Sequence, residues 1–90
     1  MKQKIHVFIS GIVQGVGYRI WTKTEADKLN LTGWIKNLPD GRVEAVFQGE
    51  ASAVIEMLKR CRQGPRSAKV NQIESVEEAS EEFNDFQIVS

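Results

Sequence analysis

Between Gly11 and Arg19 the chain reads Gly11-Ile12-Val13-Gln14-Gly15-Val16-Gly17-Tyr18-Arg19. Glycines at this density let successive backbone N–H groups turn inward as a concave nest for an anion. A helix starting just beyond them would add the partial positive charge of its N-terminus. Arg19 sits where loop would meet helix, and a guanidinium there can hold two phosphoryl oxygens at once. Backbone donors plus one arginine make an anion site without a metal. The segment is not a Walker A loop, because no Gly-Lys-Ser/Thr follows, and it is not a dinucleotide G-x-G-x-x-G. On spacing alone it reads equally as a Gly-rich turn with a surface arginine. A second segment, Gly33-Trp34-Ile35-Lys36-Asn37-Leu38-Pro39-Asp40-Gly41-Arg42-Val43, places Asn37 just before a tight turn. Taken alone, Asn37 reads as a residue that suits a turn flank.

The elements around these segments must position them. Residues 5–10 alternate, with Ile5, Val7 and Ile9 on one face of a strand. The loop follows. From Tyr18 to Asn30 the period becomes helical, with Tyr18, Thr22, Ala26 and Leu29 on one stripe. Gly33 breaks the pattern, and Trp34 and Ile35 begin a second strand. Leu38-Pro39-Asp40-Gly41 is a turn. Arg42 to Gln48 forms a third strand with Val43, Ala45 and Phe47 on one face, so strands two and three make a hairpin. Ala51 to Arg62 is a second helix on Val54, Met57, Leu58 and Cys61, stopped by Gly64-Pro65. Val70 to Val76 is a fourth strand whose three-residue apolar spacing implies a bulge. Phe86 and Ile88 suggest a short closing strand. The order βαββαβ plus a short final strand predicts an α+β ferredoxin-like sandwich, an antiparallel sheet with two helices on one face. That fold hosts many functions, so the site must decide.

Composition narrows the field. Ninety residues allow one domain, read as 1–90, with roughly 5,300 Å² exposed by size scaling. Apolar residues at 41% and charged residues at 27% exclude a disordered or low-complexity chain. Twelve bases balance twelve acids, which disfavours a basic nucleic-acid surface. The balance hides an asymmetry: residues 1–45 carry a net +3 and residues 46–90 a net −3. A locally positive site in the first half could draw small anions. One cysteine, Cys61, forms no internal disulfide and no Cys-rich metal site. No signal peptide or membrane span is visible, so the expected location is cytoplasmic.

Together the two segments resemble the acylphosphatase family. Its first motif reads here Gly11-x-Val13-Gln14-Gly15-Val16-x-Tyr18-Arg19. Its second reads Gly33-Trp34-x-Lys36-Asn37-x-x-x-Gly41-x-Val43, ending at Gly49. Gly64-Pro65-x-Ser67-Ala68-x-Val70 and Asp85-Phe86-x-Ile88 also look like family positions. Two departures stand out: Tyr18 where Phe or Met is usual, and Ile35 where Val, Ala or Cys is usual. Tyr18 thereby gains a hydroxyl that needs a partner or solvent. The resemblance implies that Arg19 binds phosphate and that Asn37 orients the attacking water. It makes Gln14, Gly15, Val16, Gly17, Tyr18 and Arg19 a phosphate cradle. The implied reaction is hydrolysis of a carboxyl–phosphate anhydride to a carboxylate and inorganic phosphate, with no metal and no cofactor. The implied ligands are a small-molecule acyl phosphate and phosphate-like anions, with no nucleic acid and no membrane. Nothing in the chain demands a partner, so a monomer is expected. A relative of the domain that opens larger carbamoyl-transfer maturation proteins is another reading, but the end at Ser90 favours a free-standing enzyme.

Other chemistry-bearing residues read as structural. His6 is expected on the solvent side of its strand, and Cys61 as a packed thiol. Glu77, Glu78, Glu81 and Glu82 lack Ca²⁺-loop spacing and read as a solvated run. Trp21 and Trp34 read as packing or rim residues. Thr22 reads mainly as a capping or packing residue, with support of the Arg19 side chain as the functional option. The competing class is a non-catalytic anion- or RNA-binding module, for which Phe8 and Phe47 would supply aromatics on strands one and three.

Overall fold

The computed structural model describes residues 1–77 and 83–89. The elements are β1 (Lys2–Ile12), α1 (Tyr18–Lys28), β2 (Thr32–Asn37), β3 (Val43–Glu50), α2 (Ala51–Gln63), β4 (Lys69–Glu77) and β5 (Phe86–Ile88). The strands form one sheet in the order β4-β1-β3-β2-β5. This is the predicted ferredoxin-like arrangement with its extra strand, with one correction. β5 pairs parallel with β2, Gly33 opposite Phe86, so the sheet is mixed rather than wholly antiparallel. The chain enters β5 from β4 on the opposite edge, which sets β5 alongside β2 in the same direction.

Alternation gives the sheet two faces. Val7, Ile9, Ile35, Val43, Ala45, Phe47 and Phe86 are buried beneath the helices with Tyr18, Ala26, Val54, Met57 and Cys61. Phe47 stacks on Phe86 with ring centres 5.5 Å apart. The opposite face carries Lys4, His6, Phe8, Trp34 and Glu44. His6 lies on the predicted face but is not solvent-facing. Its ring stacks on Phe8 at 4.9 Å and its Nε2 sits 2.6 Å from the Glu44 carboxylate, which leaves it half-buried. Total exposed area is 5395 Å², close to the size expectation.

Several boundaries have clear local causes. α1 stops at Lys28 because Asn30 takes a left-handed conformation (φ 57°). Leu31 N then bonds Ala26 O and Asn30 N bonds Asp27 O, a Schellman ending. The predicted bulge is present in β4: Ser10 faces Gln72 and Gly11 faces Val70, which leaves Asn71 as the extra residue. Gly33, expected to break the pattern, lies inside β2 instead. At φ 133° its missing Cβ would come within 1.9 Å of the Val46 carbonyl oxygen, so only glycine lets β2 and β3 pair here. The acids at 78–82 lie outside the described residues, so the solvated-run reading has no structural counterpart beyond Glu77, the last residue of β4.

Candidate active site

The site forms at one end of the sheet. Ile9 pairs with Val43, and Val43 pairs with Asn37. The end of β1, the start of β3 and the end of β2 therefore stand side by side. Strand spacing puts β1 and β2 about 10 Å apart across β3. The loop leaving β1 and the asparagine ending β2 therefore lie at the same end of the sheet, and Gln14 in that loop reaches the turn after Asn37.

The loop supplies donors. Gly15 (φ 74°) and Gly17 (φ 79°) are both left-handed, and a Cβ on either would meet nothing within 4 Å. Glycine is needed there for backbone conformation, not for space. Gly17 is the N-cap of α1 and supplies no side chain, and no acid occupies the first turn. Among the described residues no amide from Gln14 to Arg19 donates a hydrogen bond. A run of free amides leading into an uncapped helix N-terminus carries partial positive charge.

Arg19 adds a full charge. It is half-buried, and it makes no ion pair or hydrogen bond among the described residues. Lys23, one turn further on the same side of α1, reaches the Phe86 carbonyl at 2.9 Å, so this stripe of the helix faces β5 and its neighbour β2. Asn37 is half-buried at the end of β2. Its Oδ1 is buried and accepts no hydrogen bond, which leaves an unpaired polar atom at the same end of the sheet as the free amides. The turn after it is held by Asp40, which accepts from the Arg42 amide at 3.1 Å and its Nε at 2.8 Å. Those bonds, the amide one foremost, hold the Asp40 carboxyl below its ordinary pKa.

The remaining expected site residues are placed as follows. Val16 is half-buried against the core. Tyr18 is buried, and its hydroxyl donates to the Cys61 carbonyl at 2.7 Å, so it offers a ligand its amide alone. The Gln14 carboxamide turns to the β2–β3 turn, where Nε2 donates to Leu38 O at 2.8 Å and Arg42 O at 2.9 Å. Sequence reasoning missed this, because a motif position carries no side-chain direction. Thr22 is fully buried with an unpartnered hydroxyl, so it neither caps α1 nor bonds Arg19; it packs facing the core. Cys61 is buried, and loss of solvation pushes its thiol up to about 12, which removes it as a nucleophile. Of the two aromatics the RNA-binding reading would use, Phe47 is wholly buried under the helices. No cluster of three His, Cys, Asp or Glu side chains able to hold a metal occurs among the described residues, and no described helix is long and apolar enough to cross a membrane.

Known proteins resemble this chain over most of its length. The acylphosphatase family model matches residues 5–88. An acylphosphatase of Alcanivorax borkumensis is 59% identical over 68 residues, 76% of this chain and 74% of that relative. The crystal structure of acylphosphatase from Bacillus subtilis superposes with a TM-score of 0.94 at 37% identity, covering 100% of both chains. Full-length HypF, in its phosphate- and nucleotide-bound form, matches with a TM-score of 0.89 at 27% identity, over 100% of this chain but 12% of that one.

Proposed function

The chain belongs to the acylphosphatase family, and on that premise we propose how its residues perform acyl phosphate hydrolysis. The amides from Gln14 to Arg19 and the Arg19 guanidinium hold the phosphoryl oxygens. Asn37 holds the attacking water. The observation that carries this reading is the row of unpaired amides between Gln14 and Arg19, opening at the sheet end where Asn37 also stands.

So few groups suffice because of the substrate. The leaving carboxylate has a conjugate-acid pKa of about 4 to 5, so it departs as an anion at neutral pH without a general acid. An alkoxide leaving group would need an acid or a metal. The phosphoryl transition state is loose, so positioning and charge stabilisation carry the rate. Amides and Arg19 neutralise the equatorial oxygens, and they do so in a site already organised for charge. The Asn37 Oδ1 accepts from the water and directs it at phosphorus. Asn is no base, so the water's proton passes to a phosphate oxygen. The site grips the phosphoryl group that every acyl phosphate shares, so acyl tolerance is broad.

The test is hydrolysis of benzoyl phosphate, followed by loss of its ultraviolet absorbance with EDTA present, in the wild type, Arg19→Ala and Asn37→Ala. Metal-independent turnover lost in both folded variants supports the reading. Turnover that EDTA abolishes, or that survives both substitutions, overturns it.

A further inference from the structure

The phosphate loop is fastened to the strand carrying Asn37 by one side chain. β1 and β3 pair only as far as Ile9 and Val43, and beyond Ile9 the rest of β1 pairs with β4 alone. The loop therefore leaves β3 before it reaches the site. Gln14 restores the link: its Nε2 donates to the Leu38 and Arg42 carbonyls, 24 and 28 residues away in sequence. These two residues close the β2–β3 turn, where Leu38 N also donates to Arg42 O at 2.8 Å. Among the described residues, the Gln14 bonds are the only hydrogen bonds between the 13–19 segment and the 37–42 segment. A carboxamide has two N–H donors, and both are engaged here. The oxygen that remains would repel an anion. The side chain is therefore no phosphate ligand.

We infer that Gln14 is a positioning residue: its side chain sets where the phosphate cradle stands relative to the water held by Asn37. The inference rests on the cradle and Asn37 roles proposed above. Leu38 directly follows Asn37, so the tie ends one residue from the water-holding side chain. The loop it restrains turns through two left-handed glycines and has no other hydrogen-bonded anchor to this turn. In-line attack requires reacting atoms about 3 to 3.5 Å apart, and a displacement of about 1 Å costs about 100-fold. Releasing the tie should therefore slow turnover while the amides and Arg19 still capture the anion.

The test compares wild type, Gln14→Met, Asn37→Ala and the double variant. Gln14→Met keeps the length of the side chain and donates nothing. The readouts are kcat and KM for benzoyl phosphate and the inhibition constant of inorganic phosphate. In Gln14→Met, kcat should fall by about tenfold or more while phosphate inhibition stays within about threefold. In the Asn37→Ala background the same substitution should cost less than about threefold, because residues that act as one unit are not additive. Phosphate inhibition weakened about tenfold would show direct contact with the anion and overturn the inference. So would an unchanged kcat, or an equal loss in both backgrounds. Asn37→Ala with near wild-type turnover removes the underlying reading instead, and the inference falls with it. If Gln14→Met does not fold, Gln14→Glu serves. Its carboxylate faces two carbonyls with no proton to give, whereas its acid form donates one. Its rate relative to wild type should rise as pH falls, and a flat ratio overturns the inference.

Discussion

The hydroxyl of Tyr18 donates to the carbonyl oxygen of Cys61 at 2.7 Å, joining the first residue of α1 to the last turn of α2. The reason lies four residues on. A helical carbonyl at Cys61 would accept from the amide of residue 65, which is Pro65 and has none. Tyr18 supplies the missing donor from across the core. Tyr18→Phe would leave that carbonyl buried and unpaired, at a cost of about 1 to 3 kcal/mol. For a domain of this size each kcal/mol lowers Tm by about 4 to 8 °C. Thermal melts should show that drop with kcat nearly unchanged, and an unaltered Tm would contradict it.

The same pair gives the fold an alkaline limit. Burial raises the Cys61 thiol from 9.0 to about 12, and burial first, then Cys61, drives the Tyr18 phenol far above its usual 10.0. Both groups stay protonated in the folded protein while the unfolded chain ionises them. Their stabilising contribution is therefore complete below about pH 9 and is lost as pH rises toward 12. Each such proton steepens the loss by about 1.4 kcal/mol per pH unit. Urea midpoints measured from pH 8 to 11 should fall less steeply in Cys61→Ala than in the wild type. Parallel slopes would show that Cys61 plays no part.

Arg19 should matter for capture as well as rate. Arg19→Ala should weaken inhibition by inorganic phosphate and lower both kcat and kcat/KM. Arg19→Lys restores the charge but not the two-pronged donor geometry, so it should recover phosphate inhibition better than turnover. Full recovery of both by lysine would mean that charge alone is needed.

Asn37 should matter for rate alone. Loss of a positioned polar group that acts in the transition state costs about 100-fold or more in kcat, with KM little changed. Asn37→Asp should gain nothing from its carboxylate if the water's proton passes to the phosphate. A variant faster than Asn37→Ala by orders of magnitude would show that a base is useful there.

Much of this was legible in the sequence because pattern and physics coincide. The alternation of Ile5, Val7 and Ile9 and the Val54, Met57, Cys61 stripe place the core where it lies, and the bulge in β4 follows from its three-residue spacing. What escaped depends on partners far along the chain. Gly33 reads as a breaker until Val46 is seen against it. His6 reads as solvent-facing until Phe8 and Glu44 enclose it. The parallel pairing of β5 follows from which edge it joins. The Gln14 motif position was legible, but which way its amide points was not.

The glycines of the two motifs should therefore fail differently. Gly33→Ala places a Cβ within 1.9 Å of the Val46 carbonyl oxygen and 2.8 Å of its carbon, both backbone atoms that cannot swing away. β2 and β3 must part to admit it, and Gly33 also donates from its amide to the Asp85 carbonyl at 2.9 Å, the entry to β5. Gly33→Ala should be largely unfolded. Gly15→Ala meets nothing within 4 Å, and its burden is the left-handed φ of 74° alone. That strain costs about 1 to 2 kcal/mol, which a folded domain of about 5 to 15 kcal/mol survives. The loop can escape it by rotating the peptide, and a rotated peptide turns a cradle amide away from the phosphate. Gly15→Ala should thus stay folded by circular dichroism, yet bind inorganic phosphate and turn over benzoyl phosphate more weakly. Were the two variants equally unfolded, or Gly15→Ala fully active, the division between a glycine that permits pairing and one that shapes the cradle would not hold.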